Sequence, residues 1–380
     1  MNNYILWIGS LYEENHLKDN KATSPAANYW QLNLLNSLRY NKEKVILLSN
    51  HFQRIFPFGY LFPNGVNFWK KGFKVISYIY INIPILKSFS IFIAGKYKLK
   101  SYIKNNGFPK CIITYNPTIE NSQLAYHFQT KYEIPWIDLC ADAYDPGENW
   151  LNYNNLAKKA NGHIFLSYYA FKNSPFKYNL HLDGGIDIFD NQLDLTNKSN
   201  SKVILYTGML CEYGGLDLLI NSFLAINDHN LKLIICGHGK KSKILDDAIH
   251  NDKRITFLGL VPDNILNKLY SEADIFINPR PIDINGGSMN FPSKILKYLS
   301  FGKPVISSKT FGLSPDYEEV LIYFEEYSIY CLSHKILEIL SWTDIQKQDY
   351  FDKVNYFIKN KKNWIKSGYD LSNWLKIFYA

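Results

Sequence analysis

A serine and a lysine stand side by side in the stretch NFPSKILKYLSFGKPVIS, residues 290–307, where the pattern predicts a helix start. Pro292 suits the first helical position, because the N–H group that it lacks would have no partner there. The free N–H groups and positive dipole end of such a helix attract an anion. Ser293 adds a hydroxyl donor and Lys294 a full charge, so this corner is able to hold a phosphate. An ordinary capped helix with a solvated lysine is the alternative.

Further candidate positions follow predicted strands in the second half of the chain. They are Gly208 after VILYT, Gly237 after LIIC, the pair Leu260 and Val261 after TFLG, and Arg280 after DIFINP. Because ligands of parallel sheets bind beyond the carboxyl ends of the strands, these positions should share one rim with Ser293 and Lys294. This convergence favours a phosphate site over a plain helix cap.

The elements that would position these residues alternate between apolar strands and amphipathic helices along the whole chain. The predicted strands are YILWIG, KVILLS, CIITY, IPWIDLC and GHIFLS in the first half, and VILYTGML, LKLIICGHG, ITFLGLV, DIFINPR and KPVISS in the second. The pattern predicts an α/β fold of two doubly wound, Rossmann-like domains that face a cleft. A helix is predicted from Ser24 onward, after the first strand.

The predicted domain limits follow from a polar segment that has little to bury. Residues 1–189 form the first domain, 190–202 a linker, and 203–360 the second domain. The final segment, 361–380, is predicted as a helix that packs back onto the first domain. A chain of 380 residues with 47% hydrophobic residues is long enough for two cores.

Composition limits the partners and the compartment. The net charge of +8 suits anionic small molecules or an anionic membrane surface. Nucleic acid is not indicated, because the sequence has no dense basic run and no finger spacing. Five cysteines without a CxxC pair, and an N-terminus unlike a signal peptide, predict a reducing, cytoplasmic location.

One apolar segment, FKVISYIYINIPILKSFSIFIAG at residues 73–95, invites a membrane interpretation. Asn82, Pro84 and Lys87 interrupt it, so it is a poor candidate for a spanning helix, which needs about 20 mostly apolar residues. With lysines on both sides, it could lie on the inner face of a membrane as a peripheral contact. A core helix with snorkelling lysines fits equally well.

Taken together, the motifs of the second half resemble the donor-binding domain of glycosyltransferase family 4 (glycosyl transferases group 1), which has the GT-B fold. The resemblance is strong over residues 203–308 and weak over the first half, where GGID at 184–187 carries it. It implies transfer of a sugar from a nucleotide diphosphate sugar, with retention and without a metal or other cofactor. The FPSK helix start is similar to that of enzymes building bacterial surface polysaccharides, which implies a glycan or lipid-linked acceptor.

The resemblance also implies roles for the candidate residues. Gly208 would lie under the donor phosphates, with Gly237 beside it on the rim, and Leu260 and Val261 would hold the base through backbone contacts. The residues that would contact the diphosphate and sugar are Arg280, Asn290, Phe291, Ser293 and Lys294.

In the first half, WIDLCADAYDP offers three candidate carboxylates, Asp138, Asp142 and Asp145. We choose Asp142 as the catalytic candidate, able to orient an acceptor hydroxyl or steady a cationic centre. The alternative is structural, with Asp145 opening a turn and Asp138 capping a helix. Asn116, after CIITY, is the acceptor-binding candidate.

The chain departs from the family pattern at four positions. The two usual glutamates are replaced by Met289 and Lys297, and the usual basic pair of the phosphate loop by Met209 and Tyr213. These losses keep two alternatives open. One is a non-catalytic GT-B homologue that serves as a partner or scaffold, and the other is a nucleotide-sugar epimerase of the same fold.

Overall fold

The computed structural model describes residues 4–11, 25–50, 53–63, 65–143, 154–187, 201–239, 242–282 and 286–379. The predicted linker falls outside these ranges apart from residues 201 and 202. Ser24 and Asp145 also lie outside the described residues.

The first domain is built on an eight-stranded sheet in the order β3-β4-β2-β1-β5-β6-β7-β8. Its strands are β1 (Tyr4–Gly9), β2 (Lys44–Ser49), β3 (Phe68–Lys70), β4 (Phe73–Ser77), β5 (Cys111–Tyr115), β6 (Trp136–Cys140), β7 (Gly162–Phe165) and β8 (Asn179–His181). Neighbouring strands are parallel except β3 and β4. The helices described here are α1 (Pro25–Tyr40), α2 (Leu86–Asn106), α3 (Ile119–Tyr132) and α4 (Tyr168–Lys172). Every residue of β1 is buried, as expected for a strand with helices over both faces.

The second domain is built on a six-stranded parallel sheet in the order β11-β10-β9-β12-β13-β14. Its strands are β9 (Lys202–Leu210), β10 (Leu231–Gly239), β11 (Ile255–Gly259), β12 (Ile275–Asn278), β13 (Val305–Ser307) and β14 (Ile322–Tyr323). Its helices are α5 (Leu216–Leu224), α6 (Lys243–Asn251), α7 (Asp263–Glu272), α8 (Gly286–Met289), α9 (Lys294–Leu299), α10 (Ile329–Leu340) and α11 (Asp344–Asn360). The predicted fold of two doubly wound sheets is confirmed.

The strand order marks where a ligand is expected in each sheet. In the second sheet the chain moves outward from β9 in one direction to β11 and then returns to β12 on the other side. Parallel sheets bind ligands at such a reversal, beyond the carboxyl ends of the strands. The candidate positions Gly208 and Arg280 lie at the ends of β9 and β12, on the two sides of this reversal.

The last helix, α12 (Trp364–Leu375), leaves the second domain and packs against α1 of the first. The two helices approach closely because Gly368 has no side chain, and a Cβ atom there would lie 2.4 Å from Ser37 Oγ. Ser372 Oγ donates a hydrogen bond of 2.8 Å to Glu43 Oε1 of the first domain. Among the residues described, no helix is long and apolar enough to cross a membrane.

A buried ion pair ties the two domains and the last helix together. Asp183, which follows β8, accepts hydrogen bonds from Lys362 Nζ at 2.9 and 2.8 Å and from the Tyr317 hydroxyl at 3.0 Å. Burial raises the pKa of Asp183, but the charges of Lys362 and His181 and the hydrogen bonds from Lys362 and Tyr317 together outweigh this effect and hold the pKa below its ordinary value. The carboxylate is therefore ionised and joins the first domain to the second.

Candidate active site at the facing edges of the two sheets

The side chain of Lys294 lies over the end of β9 and packs against it. Its Nζ lies 4.0 Å from the centre of the Tyr206 ring, and a Cβ atom on Gly208 would be 3.1 Å from the same nitrogen. Burial, and then the positive charge of Arg280, lower the pKa of Lys294 to about 7. An anion beside the amine would stabilise its protonated form. Lys294 is therefore half-buried against the end of β9, and its contact with a phosphate stays a prediction.

The helix that begins here is shorter than predicted. It starts at Lys294, two residues after Pro292, and spans six residues. Ser293 is exposed, and its hydroxyl accepts no capping hydrogen bond within the described part of the helix. A helix of under two turns contributes little dipole, so the charges of Lys294 and Arg280 dominate the electrostatics of this corner.

Arg280 brings a second cation to Lys294. It follows β12, and its Nη1 donates a hydrogen bond of 3.4 Å to the carbonyl oxygen of Asn290. Burial lowers the pKa of Arg280, whereas Tyr206, Cys211 and Asp142 act in the opposite direction. The guanidinium stays charged, because the ordinary pKa of arginine is far above neutrality. Lys294 and Arg280, which come from different elements, thus lie near Tyr206, and we call this pair the cation cluster.

Gly208 and Gly237 lie inside strands β9 and β10, as the predicted strands VILYTGML and LKLIICGHG imply. The strands β9 and β10 continue as parallel partners to Leu210 and Gly239, with Gly208 opposite Gly237. Gly208 has φ +141° and Gly237 φ +150°, and a Cβ atom on Gly237 would be 1.7 Å from the Gly208 oxygen. Glycine is required at Gly237 for this close approach. At Gly208 it leaves room for the Lys294 amine.

The remaining donor candidates of the second domain are spread more widely. The ring of Phe291 is buried and packs 5.9 Å from the ring of Tyr317, and its contact with a donor stays a prediction. Leu260 is exposed just beyond β11, while Val261 is half-buried against the core. Contact of Leu260 and Val261 with a base through their backbone stays a prediction.

Asp142 is exposed at the carboxyl edge of the first sheet, two residues beyond β6. The loop that carries it is held by Asn116, whose Oδ1 accepts a hydrogen bond of 2.8 Å from the Ala141 N–H group. Asn116 has φ +62°, a conformation that asparagine tolerates better than most residues. The structure thus gives Asn116 a supporting contact that the sequence did not suggest, and its contact with an acceptor stays a prediction.

The catalytic candidate of the first domain lies within electrostatic reach of the cations of the second. The negative charge of Asp142 raises the pKa of Arg280, behind the larger effects of burial, Tyr206 and Cys211. It also raises the pKa of Tyr115, after burial. A carboxylate from one domain therefore lies within electrostatic reach of a guanidinium from the other.

Asp138 has a structural role, though not the predicted helix cap. It is fully buried inside β6, where Thr114 Oγ1 donates a hydrogen bond of 2.6 Å to its Oδ1. The indole N–H of Trp136 donates in turn to Thr114 Oγ1 at 2.8 Å. This chain of hydrogen bonds joins β5 to the first half of β6, the strand that leads to Asp142.

The residues at the two usual glutamate positions do not join the cation cluster. Met289 is buried among core residues of the first domain, and Ser167 Oγ donates a hydrogen bond to its carbonyl oxygen. Lys297 is exposed, with its Nζ 5.0 Å from the centre of the Phe301 ring. Burial lowers the pKa of Lys297, while Asp187 and Asp263 act in the opposite direction.

Sequence reasoning did not identify the role of Tyr206. Its ring lies under the Lys294 amine, yet an aromatic residue in the middle of a predicted strand is normally assigned to the core. Among the described residues, no group of three or more histidine, cysteine, aspartate or glutamate side chains could hold a metal ion. The metal-free reaction stays a prediction.

Comparisons with known proteins agree with this architecture. Residues 201–341 match the family model described as Glycosyl transferases group 1. An uncharacterized glycosyltransferase of Methanocaldococcus jannaschii is 31% identical over 120 residues, which cover 30% of this chain and 29% of that protein. The match thus spans under a third of the relative.

Solved structures match over nearly the whole chain at low identity. Sucrose-phosphate synthase from Thermosynechococcus elongatus superposes with a TM-score of 0.71 at 15% identity, over 99% of both chains. HepE of Anabaena in complex with UDP has a TM-score of 0.67 at 13% identity, over 98% of this chain and 100% of that one. WaaG, a glycosyltransferase involved in lipopolysaccharide biosynthesis, has a TM-score of 0.61 at 11% identity, over 97% and 98%. The chain therefore has the GT-B fold, and residues 201–341 of its second domain are similar to the glycosyl transferases of group 1.

Proposed function

We propose that the chain is a retaining glycosyltransferase that moves a sugar from a nucleotide diphosphate sugar to a lipid-linked or polysaccharide acceptor. Its place would be bacterial surface-glycan synthesis at the cytoplasmic face of the membrane. The observation that carries the proposal is a pair of cations: Lys294 lies beside Gly208, and Arg280 lies within electrostatic reach of both Lys294 and Asp142 of the other domain.

Lys294 and Arg280 are suited to stabilise a diphosphate leaving group. Negative charge on the diphosphate grows as the bond to the sugar breaks, so fixed cations stabilise the transition state more than the ground state. Lys294 is suited to this task because the pKa of its amine is about 7 in the free protein. A bound diphosphate would raise this pKa, and the amine would then be protonated when charge develops.

UDP is the first nucleotide to test, because the similar HepE was crystallised with it. The nucleoside would extend from Gly208 toward Leu260 and Val261, along the carboxyl ends of β9, β10 and β11. The ribose would meet Lys297, near Asp187 and Asp263, in place of the usual glutamate.

Asp142 supplies the acceptor side of the reaction. As an exposed carboxylate within reach of the charge on Arg280, it can orient an acceptor hydroxyl toward the sugar. The hydrogen bond from Ala141 to Asn116 fixes the backbone directly before Asp142. The likeness to WaaG, which is involved in lipopolysaccharide biosynthesis, supports an acceptor of the surface-glycan class.

A second candidate function is nucleotide-sugar binding without turnover. Its support is Met289, a buried core residue at a position where this family usually has a glutamate. A carboxylate that is absent cannot contact the sugar, so donor binding and transfer have to be measured separately.

Two measurements test the proposal. Thermal unfolding with UDP, GDP and ADP detects binding, since a ligand at a hundred times its Kd stabilises by about 2.7 kcal/mol. Mass spectrometry of mixtures of nucleotide sugars with lipid-linked acceptors detects transfer. We expect one nucleotide to stabilise the protein and its sugar to appear on an acceptor. Stabilisation without a product from any donor favours the binding protein, and no stabilisation by any nucleotide overturns the donor site.

A further inference from the structure

The outer face of α2 carries apolar side chains where a solvent-exposed helix would carry polar ones. Phe89 is 64% exposed and Tyr97 78%, and Leu86 and Ile93 are exposed beside them. Steps of three and four residues separate these positions, so they share one face of the helix. The opposite face also carries apolar residues, and it packs into the core through Ile91, Leu99 and Ile103. The outer face is thus an apolar surface that folding leaves uncovered.

The segment 53–63 extends this surface with further aromatic side chains. Phe58 is 83% exposed and Phe62 is exposed as well. The segment is held firmly by the buried Asn82, whose Nδ2 donates to the carbonyl oxygens of Arg54 at 2.6 Å and Tyr60 at 2.9 Å. Lys87 Nζ donates to the Gln53 carbonyl oxygen at 2.7 Å and ties the same segment to the first turn of α2. The aromatic rings are therefore presented by a built structure.

The part of the chain that contains this surface, residues 44–119, is also strongly basic. Residues 44–119 contain eleven lysine and arginine residues and no aspartate or glutamate, whereas the other 304 residues hold 31 basic and 34 acidic residues. The whole positive surplus of the chain thus comes from this region. On α2 itself, Lys96 lies beside Tyr97, and Lys100 and Lys104 continue the same face at helical spacing.

We propose that this surface docks onto an anionic lipid bilayer. We call it the docking face and define it by Phe58, Phe62, Leu86, Phe89, Ile93 and Tyr97, with Lys96, Lys100 and Lys104 as its basic end. The apolar side chains enter the boundary between headgroups and acyl chains, and the lysines contact anionic headgroups. Large exposed apolar patches of this kind mark interaction sites, and the excess of basic over acidic residues in residues 44–119 selects a negatively charged partner.

The docking face lies next to the edge of the sheet that carries the acceptor candidates. Ser88 Oγ, in the first turn of α2, donates a hydrogen bond of 2.7 Å to Glu120 Oε1 in the first turn of α3. The cap of α3, Thr118, donates its N–H to the carbonyl oxygen of Asn116 at 2.8 Å. A docked bilayer would thus present a lipid-linked acceptor near Asn116 and Asp142. This last step rests on the proposed function, whereas docking itself does not.

Co-sedimentation of the full chain with vesicles tests the charge complementarity. Vesicles of phosphatidylcholine are compared with vesicles that also contain about 30 mol% phosphatidylglycerol, at about 0.1 M salt, where the Debye length is about 10 Å. Each lysine near an anionic surface contributes roughly fivefold in affinity, so reversing three should cost a hundredfold or more. The variant is Lys96→Glu/Lys100→Glu/Lys104→Glu, and the matched control on exposed sites elsewhere is Lys232→Glu/Lys353→Glu/Lys359→Glu.

A second pair of variants tests the apolar part. Ile93→Asn/Tyr97→Gln removes two exposed apolar side chains from the docking face, and Ile345→Asn/Tyr356→Gln removes the same types from exposed positions of α11. We expect the first variant to lose vesicle binding by about tenfold or more, from the apolar area that no longer enters the bilayer. The second should bind like the wild-type chain. Circular dichroism checks that all four variants are folded.

Three results would overturn the proposal. They are an absence of wild-type binding to the anionic vesicles, equal binding to both kinds of vesicle, and equal losses in docking-face and control variants. A wild-type dimer that Ile93→Asn/Tyr97→Gln dissociates without changing vesicle binding would assign the surface to a second copy of the chain instead. Vesicle binding needs no donor, so it can succeed where sugar transfer fails, and its failure leaves the donor titrations intact.

Discussion

Replacing Lys294 by methionine should weaken donor binding and remove its dependence on pH. The methionine keeps much of the length of the side chain beside Gly208 and Tyr206, and loses only the charge and the hydrogen-bond donors. An ammonium group and a phosphate about 4 Å apart attract each other by about 4 kcal/mol at an effective dielectric constant of about 20. Desolvation of both groups offsets part of this, which leaves about 1.5–3 kcal/mol for a hydrogen bond to a charged partner. Affinity should therefore fall by about 10-fold to 150-fold.

The pH dependence follows from the lowered pKa of the same amine. In the free protein the pKa of Lys294 is about 7, and a bound diphosphate raises it toward its ordinary value, so binding takes up a proton. Wild-type affinity should be highest below pH 7. Above pH 7 it should fall by up to about tenfold per pH unit, until it approaches that of the variant. The variant itself should show a flat profile.

Isothermal titration calorimetry with UDP-glucose between about pH 6 and pH 9 measures both effects, and repetition in two buffers of different ionisation enthalpy counts the proton. The control is Lys309→Met, because Lys309 is exposed and paired with Glu318 at 2.8 Å, away from the cation cluster. Exposed ion pairs contribute little, so this variant should bind like the wild-type chain. Equal affinities of wild type and Lys294→Met across the pH range would refute the assignment.

Three further predictions concern Asp142 in the loop after β6, Gly208 in β9, and the buried ion pair between Lys362 and Asp183. Asp142→Asn should lower kcat by about a hundredfold or more while the donor Kd is unchanged; unchanged turnover removes Asp142 from the mechanism. Gly208→Ala should weaken UDP-glucose binding, measured by calorimetry, because its φ of +141° strains alanine and the new methyl group lies 3.1 Å from the Lys294 amine; unaltered binding would show that no phosphate lies there. Lys362→Met leaves Asp183 buried without its cation, so urea unfolding should show a loss of about 3–5 kcal/mol. Since the pKa of Asp183 is lowered by folding, its contribution is present above about pH 4 and lost as pH falls through the folded value, and the variant should lack this acid-sensitive part.

The grouping of Gly208 with the cation cluster, Lys294 and Arg280, could be predicted from sequence because all three residues lie near the ends of strands or after them. Gly208 and Arg280 belong to the strand ends of one parallel sheet, and Lys294 begins the helix after the next loop, so topology alone brings them together. The family resemblance then suggested what they bind. The lowered pKa of Lys294 could not be predicted, since it depends on burial and on the distance to Arg280.

Contacts between segments far apart in sequence were the part that the sequence did not reveal. The hydrogen bond from Ala141 to Asn116 depends on how β5 and β6 align, and the burial of Phe291 depends on Tyr317. The register that sets Gly208 opposite Gly237 depends on how β9 and β10 align. Apolar and polar patterning carries no information on such pairings.

The docking face illustrates a second reason why the sequence was not sufficient, because one segment can fit two structural interpretations. The sequence of residues 73–95 fits both a bilayer surface and a core helix. The structure shows why both interpretations fit, because α2 buries Ile91 and Leu99 while it exposes Phe89 and Tyr97. A helix that is apolar on two faces has no clear amphipathic period, so sequence alone cannot choose between them.

The most direct test of the account is a crystal structure of the chain with UDP. We predict that the β-phosphate lies in the gap between the two sheets, within about 3 Å of Lys294 Nζ and beside Arg280, with Asp142 on the opposite wall. A diphosphate bound outside this gap, or an amine of Lys294 that points away from it into solvent, would contradict the account.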